Sequence, residues 1–114
     1  MMMSPRHDCA RGAVSAMSDL ELDRRIALQG RCASSRVDPD EWFPCTLEVA
    51  KARYQAARAI AICITCPVRA DCLEFSLRHA HDVAAYGIWG GLVEQERQLL
   101  RRKWLAGTSV TELL

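Results

Sequence analysis

Cys63-Ile64-Thr65-Cys66-Pro67-Val68-Arg69-Ala70-Asp71-Cys72 places three thiols within ten residues, and Cys32 supplies a fourth upstream. Thiolates are soft ligands that select iron–sulfur clusters, zinc or copper(I) over hard cations. Residues 63 and 66 are three apart, so at a helix end both sulfurs can face one point. Pro67 suits the first position of a new helix, because it has no N–H to leave unpaired. The other free N–H groups of such a first turn would point toward negatively charged sulfurs. Two plainer readings compete with a ligand site. Cysteine is often buried as a small apolar residue, and an even number such as six would suggest disulfides in a secreted chain. Residues 1–17 hold Arg6, His7, Asp8 and Arg11 without a continuous apolar run, and no stretch approaches transmembrane length. The expected setting is therefore cytoplasmic and reducing, where clustered cysteines mean metal or redox work.

The surrounding chain reads as helices. Ser18-Asp19-Leu20-Glu21 has the spacing of a capping box, and Gly30 can end that helix. Thr46 is a candidate cap for a second helix. Along it Leu47, Ala50, Tyr54, Ala57, Ala61 and Ile64 recur at helical spacing as an apolar stripe, with Lys51, Gln55 and Arg58 facing away. No charge falls between Ala59 and Val68, so the approach to the thiols is dry. A third helix is predicted from Pro67 to about His81, burying Leu73, Leu77 and Ala80. Three glycines within Gly87-Ile88-Trp89-Gly90-Gly91 demand a tight turn. A fourth helix follows over roughly Val93 to Ala106 and stops at Gly107. No alternating strand pattern or repeat competes. The expectation is an all-α, small four-helix domain over residues 18–107, with a flexible tail over 1–17 and a short tail over 108–114. Such a small domain gains from a metal staple. The formal charge of +1 gives no global field toward nucleic acid or lipid.

Taken in order, Cys32, Asp38-Pro39-Asp40 with Trp42-Phe43-Pro44, Cys63-x-x-Cys66-Pro67-Val68-Arg69-x-x-Cys72-Leu73, Gly87-Ile88-Trp89-Gly90-Gly91-Leu92 and Glu96-Arg97 span most of the chain. This combination resembles the WhiB-like (Wbl) family, small actinobacterial iron–sulfur transcription regulators. The resemblance implies that Cys32, Cys63, Cys66 and Cys72 bind a [4Fe-4S] cluster inside a four-helix fold. A cluster with four thiolates carries a charge near about −2, which would take the domain from +1 to about −1. Arg69 and the third helix's N-terminus are candidates for local compensation. The resemblance further implies docking on region 4 of the principal sigma factor, within RNA polymerase holoenzyme, through Trp42, Phe43, Trp89, Gly90 and Gly91. Oxygen, nitric oxide or redox poise would act through the cluster. No membrane and no small-molecule substrate are expected.

Departures from the family pattern carry their own expectations. Five residues, Ala33 to Val37, separate Cys32 from Asp38, so the loop carrying the first ligand is longer than usual. Cys45 has no family counterpart and is expected to be a free buried thiol; Cys9 lies in the tail and is expected to ligate nothing. Val93 offers no capping hydroxyl, which predicts a frayed start to the fourth helix. Arg97, Arg101, Arg102 and Lys103 form a basic run suited to weak phosphate contacts with promoter DNA, or to a solvated helix C-terminus. Two readings from other classes remain beside the regulator. One is a structural zinc domain with His79 as fourth ligand in a Cys3His set. The other is a disulfide reductase using Cys63 and Cys66 in the cluster-free chain. His7, His79 and His81 form no recognisable catalytic triad, so the chain is read as a non-enzyme.

Overall fold

The computed structural model describes residues 13–114, with side chains from Val14 onward. Cys9 and most of the expected N-terminal tail lie outside those residues. The described part is helical and without named strands: α1 (Ala13–Ala16), α2 (Asp19–Gln29), 3-10 turns at Arg31–Ser34 and Pro39–Trp42, α3 (Val49–Gln55), α4 (Ala57–Ile64), α5 (Arg69–Arg78), α6 (Glu94–Leu105) and α7 (Val110–Leu113).

Local chemistry sets several boundaries. Ser18 Oγ accepts from the Glu21 N–H at 3.1 Å while Ser18 N–H donates to the Glu21 carboxylate at 3.0 Å, completing the expected capping box of α2. The second predicted helix begins later than Thr46, at Val49, and is broken at Ala56 into α3 and α4. Nothing in the sequence marks that break. Pro67 lies in a turn, and α5 begins at Arg69. The predicted fraying of α6 is corrected by Glu96, whose carboxylate accepts the Val93 N–H at 3.0 Å and an Arg53 N–H at 2.8 Å. A side chain three residues into the helix thus satisfies the end that Val93 cannot cap.

Packing corrects the reading of the second helix. Its buried face is Ala52, Ala56, Ala59, Ile60 and Cys63, which join Ile88 and Val93 in one core cluster. The predicted stripe faces outward instead, with Leu47 82%, Tyr54 84% and Ile64 54% exposed. Both faces of this segment are apolar, so periodicity fits two stripes. The small side chains win because alanines let neighbouring elements approach closely.

Helix α5 is the hub, in contact with α1, α2, α6 and α7. Its apolar flank, Leu73 and Leu77, is fully buried as predicted; Ala80 is half-buried beyond the helix end. Its polar flank buries two carboxylates, each paired. Asp71 accepts from Arg25 at 2.6 Å, and Glu74 accepts from Arg78 at 2.8 Å and from the Trp104 indole at 3.1 Å. Buried charge is tolerated only with such partners.

Arg78 also donates to the carbonyls of Val14, Ser15 and Met17. The end of the expected tail is therefore tied to α5. Residues 108–114 are likewise a packed element: Val110 is 1% exposed and sits against Leu73 and Leu77. Val110→Ala should lower the unfolding free energy by about 1–2 kcal/mol, seen as a lower urea midpoint at unchanged slope.

Candidate metal centre

Four short elements bring the thiols together. Cys63 ends α4, Cys66 lies in the turn that follows, and Cys72 sits on α5. Cys32 lies in the 3-10 turn after Gly30, whose lack of a side chain matters. A Cβ there would come within 2.5 Å of the Ile26 carbonyl oxygen. All four sulfur-bearing residues line one cavity of about 380 Å³, walled mainly by apolar side chains that include Trp42, Val68 and Ile88.

The free thiols pay a penalty for this placement. Burial pushes the Cys63 thiol up to about 11, reinforced by Cys32 and Cys66 and opposed by the Gly91 N–H and Arg69. Burial likewise pushes Cys72 up to about 12, with Cys63, Cys32 and Cys66 adding and the Gly90 N–H opposing. Each of these two thiols thus senses the other ligand candidates across the cavity. Without a cation between them they are held neutral; a positively charged core would reverse the penalty.

The glycine turn is the second half of the site. Gly90 and Gly91 have φ of 61° and 78°, and Trp89 and Leu92 form an isolated antiparallel bridge around them. Positive φ at both central positions belongs to a type I′ turn, which glycine adopts freely. The turn lies against α5 so closely that a Cβ on Gly90 would sit 3.0 Å from Leu73 Cβ. The Gly90 and Gly91 amides are near enough to the Cys72 and Cys63 thiols to favour their charged forms. Arg69, one of the sequence-based candidates for compensating sulfur charge, also favours the charged form of Cys63.

Two arginines hold the turn. Arg69 Nε donates to the Gly90 carbonyl at 2.9 Å. Arg97, 4% exposed, donates to the carbonyls of Gly87 at 2.6 Å, Leu92 at 2.8 Å and Ala84 at 3.2 Å. Burial lowers its pKa to about 10, partly offset by Glu94, Cys72 and Glu96, so it stays charged at neutral pH. Arg97 is therefore withdrawn from the expected phosphate-contacting run. Arg101 is half-buried and donates to the Leu77 carbonyl at 3.0 Å, leaving Arg102 and Lys103 exposed.

Trp89 is half-buried, stacked on Phe75 at 5.8 Å between ring centroids, with its indole N–H on the Tyr86 carbonyl. Trp42 is half-buried too, and its carbonyl accepts the Ile88 N–H at 2.9 Å. Gly90 and Gly91 are buried. Among the proposed partner contacts only Phe43, 58% exposed, offers a large free surface. Val83 and Tyr86, 67% and 70% exposed, share the cavity rim with it and were not foreseen. Cys45 is exposed rather than buried and does not line the cavity.

Among the described residues no three His, Cys, Asp or Glu are arranged to hold a metal ion, whereas four thiols surround one cavity. His79 lies apart, 3.0 Å from Asp19 and stacked on Phe75 at 4.5 Å, so the Cys3His arrangement is not assembled. Four soft donors lining one cavity fit an iron–sulfur group in kind.

Residues 27–100 match the family model described as Transcription factor WhiB. The chain belongs to the WhiB family. It is 35% identical over 82 residues to Transcriptional regulator WhiB of Streptomyces coelicolor, covering 72% of this chain and 84% of that one. It is 42% identical over 74 residues to Transcriptional regulator WhiB2 of Mycobacterium tuberculosis, covering 65% of this chain and 73% of the relative. Transcriptional regulator WhiB1 of Bifidobacterium longum is 37% identical over 75 residues, or 66% of this chain and 77% of its own. No solved structure matches the chain. The family match runs across the Cys32 turn, the thiol stretch and the glycine turn, so the site described above lies within the WhiB region. Among the described residues no helix is long and apolar enough to cross a membrane.

Proposed function

We propose that this WhiB-family transcriptional regulator carries a [4Fe-4S] cluster on Cys32, Cys63, Cys66 and Cys72 and docks on region 4 of the principal sigma factor beside it. The observation that carries the cluster assignment is the one cavity lined by all four of these cysteines. When bound, such a cluster supplies a redox couple and a centre open to oxidants, tuned by charge, hydrogen bonds and solvent access. The chain's own residues do the rest. Trp42 and Ile88 exclude water from the wall, the Gly90 and Gly91 amides stabilise sulfur charge, and Arg69 fixes the turn that presents them. Partner docking rests on the apolar rim of Phe43, Val83 and Tyr86, continuous with the cavity mouth. Trp89 sets that rim from beneath through its bond to the Tyr86 carbonyl. Promoter DNA would be met within the polymerase complex, with Arg102 and Lys103 as the exposed cations available for phosphate.

A disulfide-exchange function for the cluster-free chain is less well supported. Exchange needs a thiol with lowered pKa, and burial moves Cys63 the other way.

Anaerobic purification followed by iron, sulfide and zinc analysis tests the cluster. About four irons and four sulfides per chain are expected; one zinc without sulfide in protein never exposed to air would overturn the assignment. For docking, Phe43→Ala should weaken sigma region 4 binding by about tenfold or more while leaving the visible spectrum of the cluster intact. Unchanged affinity with an intact cluster would remove Phe43 from the interface.

A further inference from the structure

We propose that Arg97 is a positioning residue for the cluster site, clamping the Ala84–Leu92 turn from the core side and adding a buried positive charge to that turn. The inference rests on the cluster reading for its electrostatic half and on geometry alone for its clamp.

Arg97 lies on the first turns of α6 and enters the core with its guanidinium. Its three hydrogen bonds reach both sides of the glycine turn: Ala84 and Gly87 before Trp89, and Leu92 after it. Gly90 and Gly91, whose amides face Cys72 and Cys63, lie between those anchors. Arg69 grips the same turn from the cavity side through the Gly90 carbonyl. The turn is thus fixed by guanidinium groups on both faces. A planar fork can bridge several carbonyls at once, which an ammonium on a flexible stem does poorly.

Charge is the second function. Among the described residues Arg97 has no carboxylate within ion-pair distance; its carbonyl partners satisfy its donors but do not neutralise it. Glu94 and Glu96 are the carboxylates that it senses, and the Cys72 sulfur would join them once it carries charge. A buried cation with incomplete compensation is costly, and a centre carrying net negative charge beside it relieves that cost. Filling the site and closing the turn therefore favour each other. From sequence Arg97 heads a basic run and looks like a surface residue.

Three variants separate clamp from charge: Arg97→Lys keeps the charge without the fork, Arg97→Gln removes the charge, and Arg24→Gln alters an exposed cation on α2 as a control. The first readout is amide hydrogen exchange across residues 84–92 in the cluster-free protein, which does not depend on what metal the site holds. Both Arg97 variants should exchange roughly tenfold or more faster there, with α2 protection retained. The second readout is the cluster's reduction potential after anaerobic reconstitution. Arg97→Gln should lower it further than Arg97→Lys, because both loosen the turn but only glutamine also removes the cation, which favours the reduced, more negative state. Wild-type protection of the turn in Arg97→Lys overturns the clamp. An unchanged potential in Arg97→Gln overturns the charge role. If Arg97→Gln does not fold, Arg97→Lys decides the clamp: faster turn exchange supports it, and wild-type exchange overturns it. A wild-type chain that takes up no iron sinks the cluster reading while leaving the exchange test of the clamp standing.

Discussion

Replacing Cys72 by Ser should abolish cluster assembly. Cys72 sits on α5, beneath the glycine turn, where burial holds its thiol up near 12. A ligand in such a place releases its proton only when a metal core takes the sulfur. A serine hydroxyl is a far weaker acid and a harder donor, so it cannot replace the thiolate. Removing an outer partner of a metal ligand typically costs roughly 10–100-fold in affinity, and losing the ligand itself should cost more. Iron retained after desalting should fall to background in Cys72→Ser and Cys63→Ser. Cys45→Ser should keep wild-type iron, because Cys45 stands outside the cavity. Metal binding couples to folding, so the ligand variants should also lose the thermal stabilisation that reconstitution gives the wild type.

The pH dependence has a definite sign. Cys63 and Cys72 have folded pKa values raised above the ordinary 9.0, to about 11 and 12. Their contribution to the stability of the cluster-free fold is fully present below pH 9.0 and is lost as pH rises toward those values. Heating the cluster-free protein at pH 7 and at pH 10 should give the lower midpoint at pH 10. A pH-independent midpoint for the cluster-free chain would contradict the buried, neutral state of these thiols.

Much of the fold was legible because its signals are local. Ser18 and Glu21 announced the start of α2, and Leu73 and Leu77 gave the buried face of α5. The four cysteines singled out by spacing and resemblance line one cavity. What stayed hidden depends on packing between distant segments. Leu47, Tyr54 and Ile64 carry a regular apolar period yet lie outside, because Ala52, Ala56 and Ala59 provide a second stripe with a closer fit. Arg97 has the composition of a surface run, and only the carbonyls of Ala84, Gly87 and Leu92 reveal its burial. Residues 108–114 offered too short a pattern to read, but Val110 fills the gap between Leu73 and Leu77. The role of the Gly90 and Gly91 amides was within reach. Consecutive glycines beside a ligand run signal close backbone approach, and the missing step was to aim that backbone at the sulfurs.

Gly90→Ala should destabilise the fold strongly. Two costs act together. At φ 61° an added Cβ meets its own backbone, a strain of about 1–2 kcal/mol. The same Cβ would lie 3.0 Å from Leu73 Cβ and 3.4 Å from the Arg69 carbonyl oxygen, both on helix α5 and unable to swing aside. Overpacking of that kind costs about 1–3 kcal/mol, so the sum is about 2–5 kcal/mol. Gly107→Ala is the matched control: φ is 108° there, but nothing lies within 4 Å of the added atom. It should carry backbone strain without the clash. The comparison therefore isolates how tightly the turn is pressed onto α5. If Gly90 serves the site as well as the fold, Gly90→Ala should also speed chelator-driven iron loss, because lifting the turn draws the Gly90 amide away from Cys72. Gly107→Ala should leave that rate at the wild-type value. Equal urea midpoints for the two variants would mean that the turn yields freely, and the close seat on Leu73 would no longer explain why the amides reach the sulfurs.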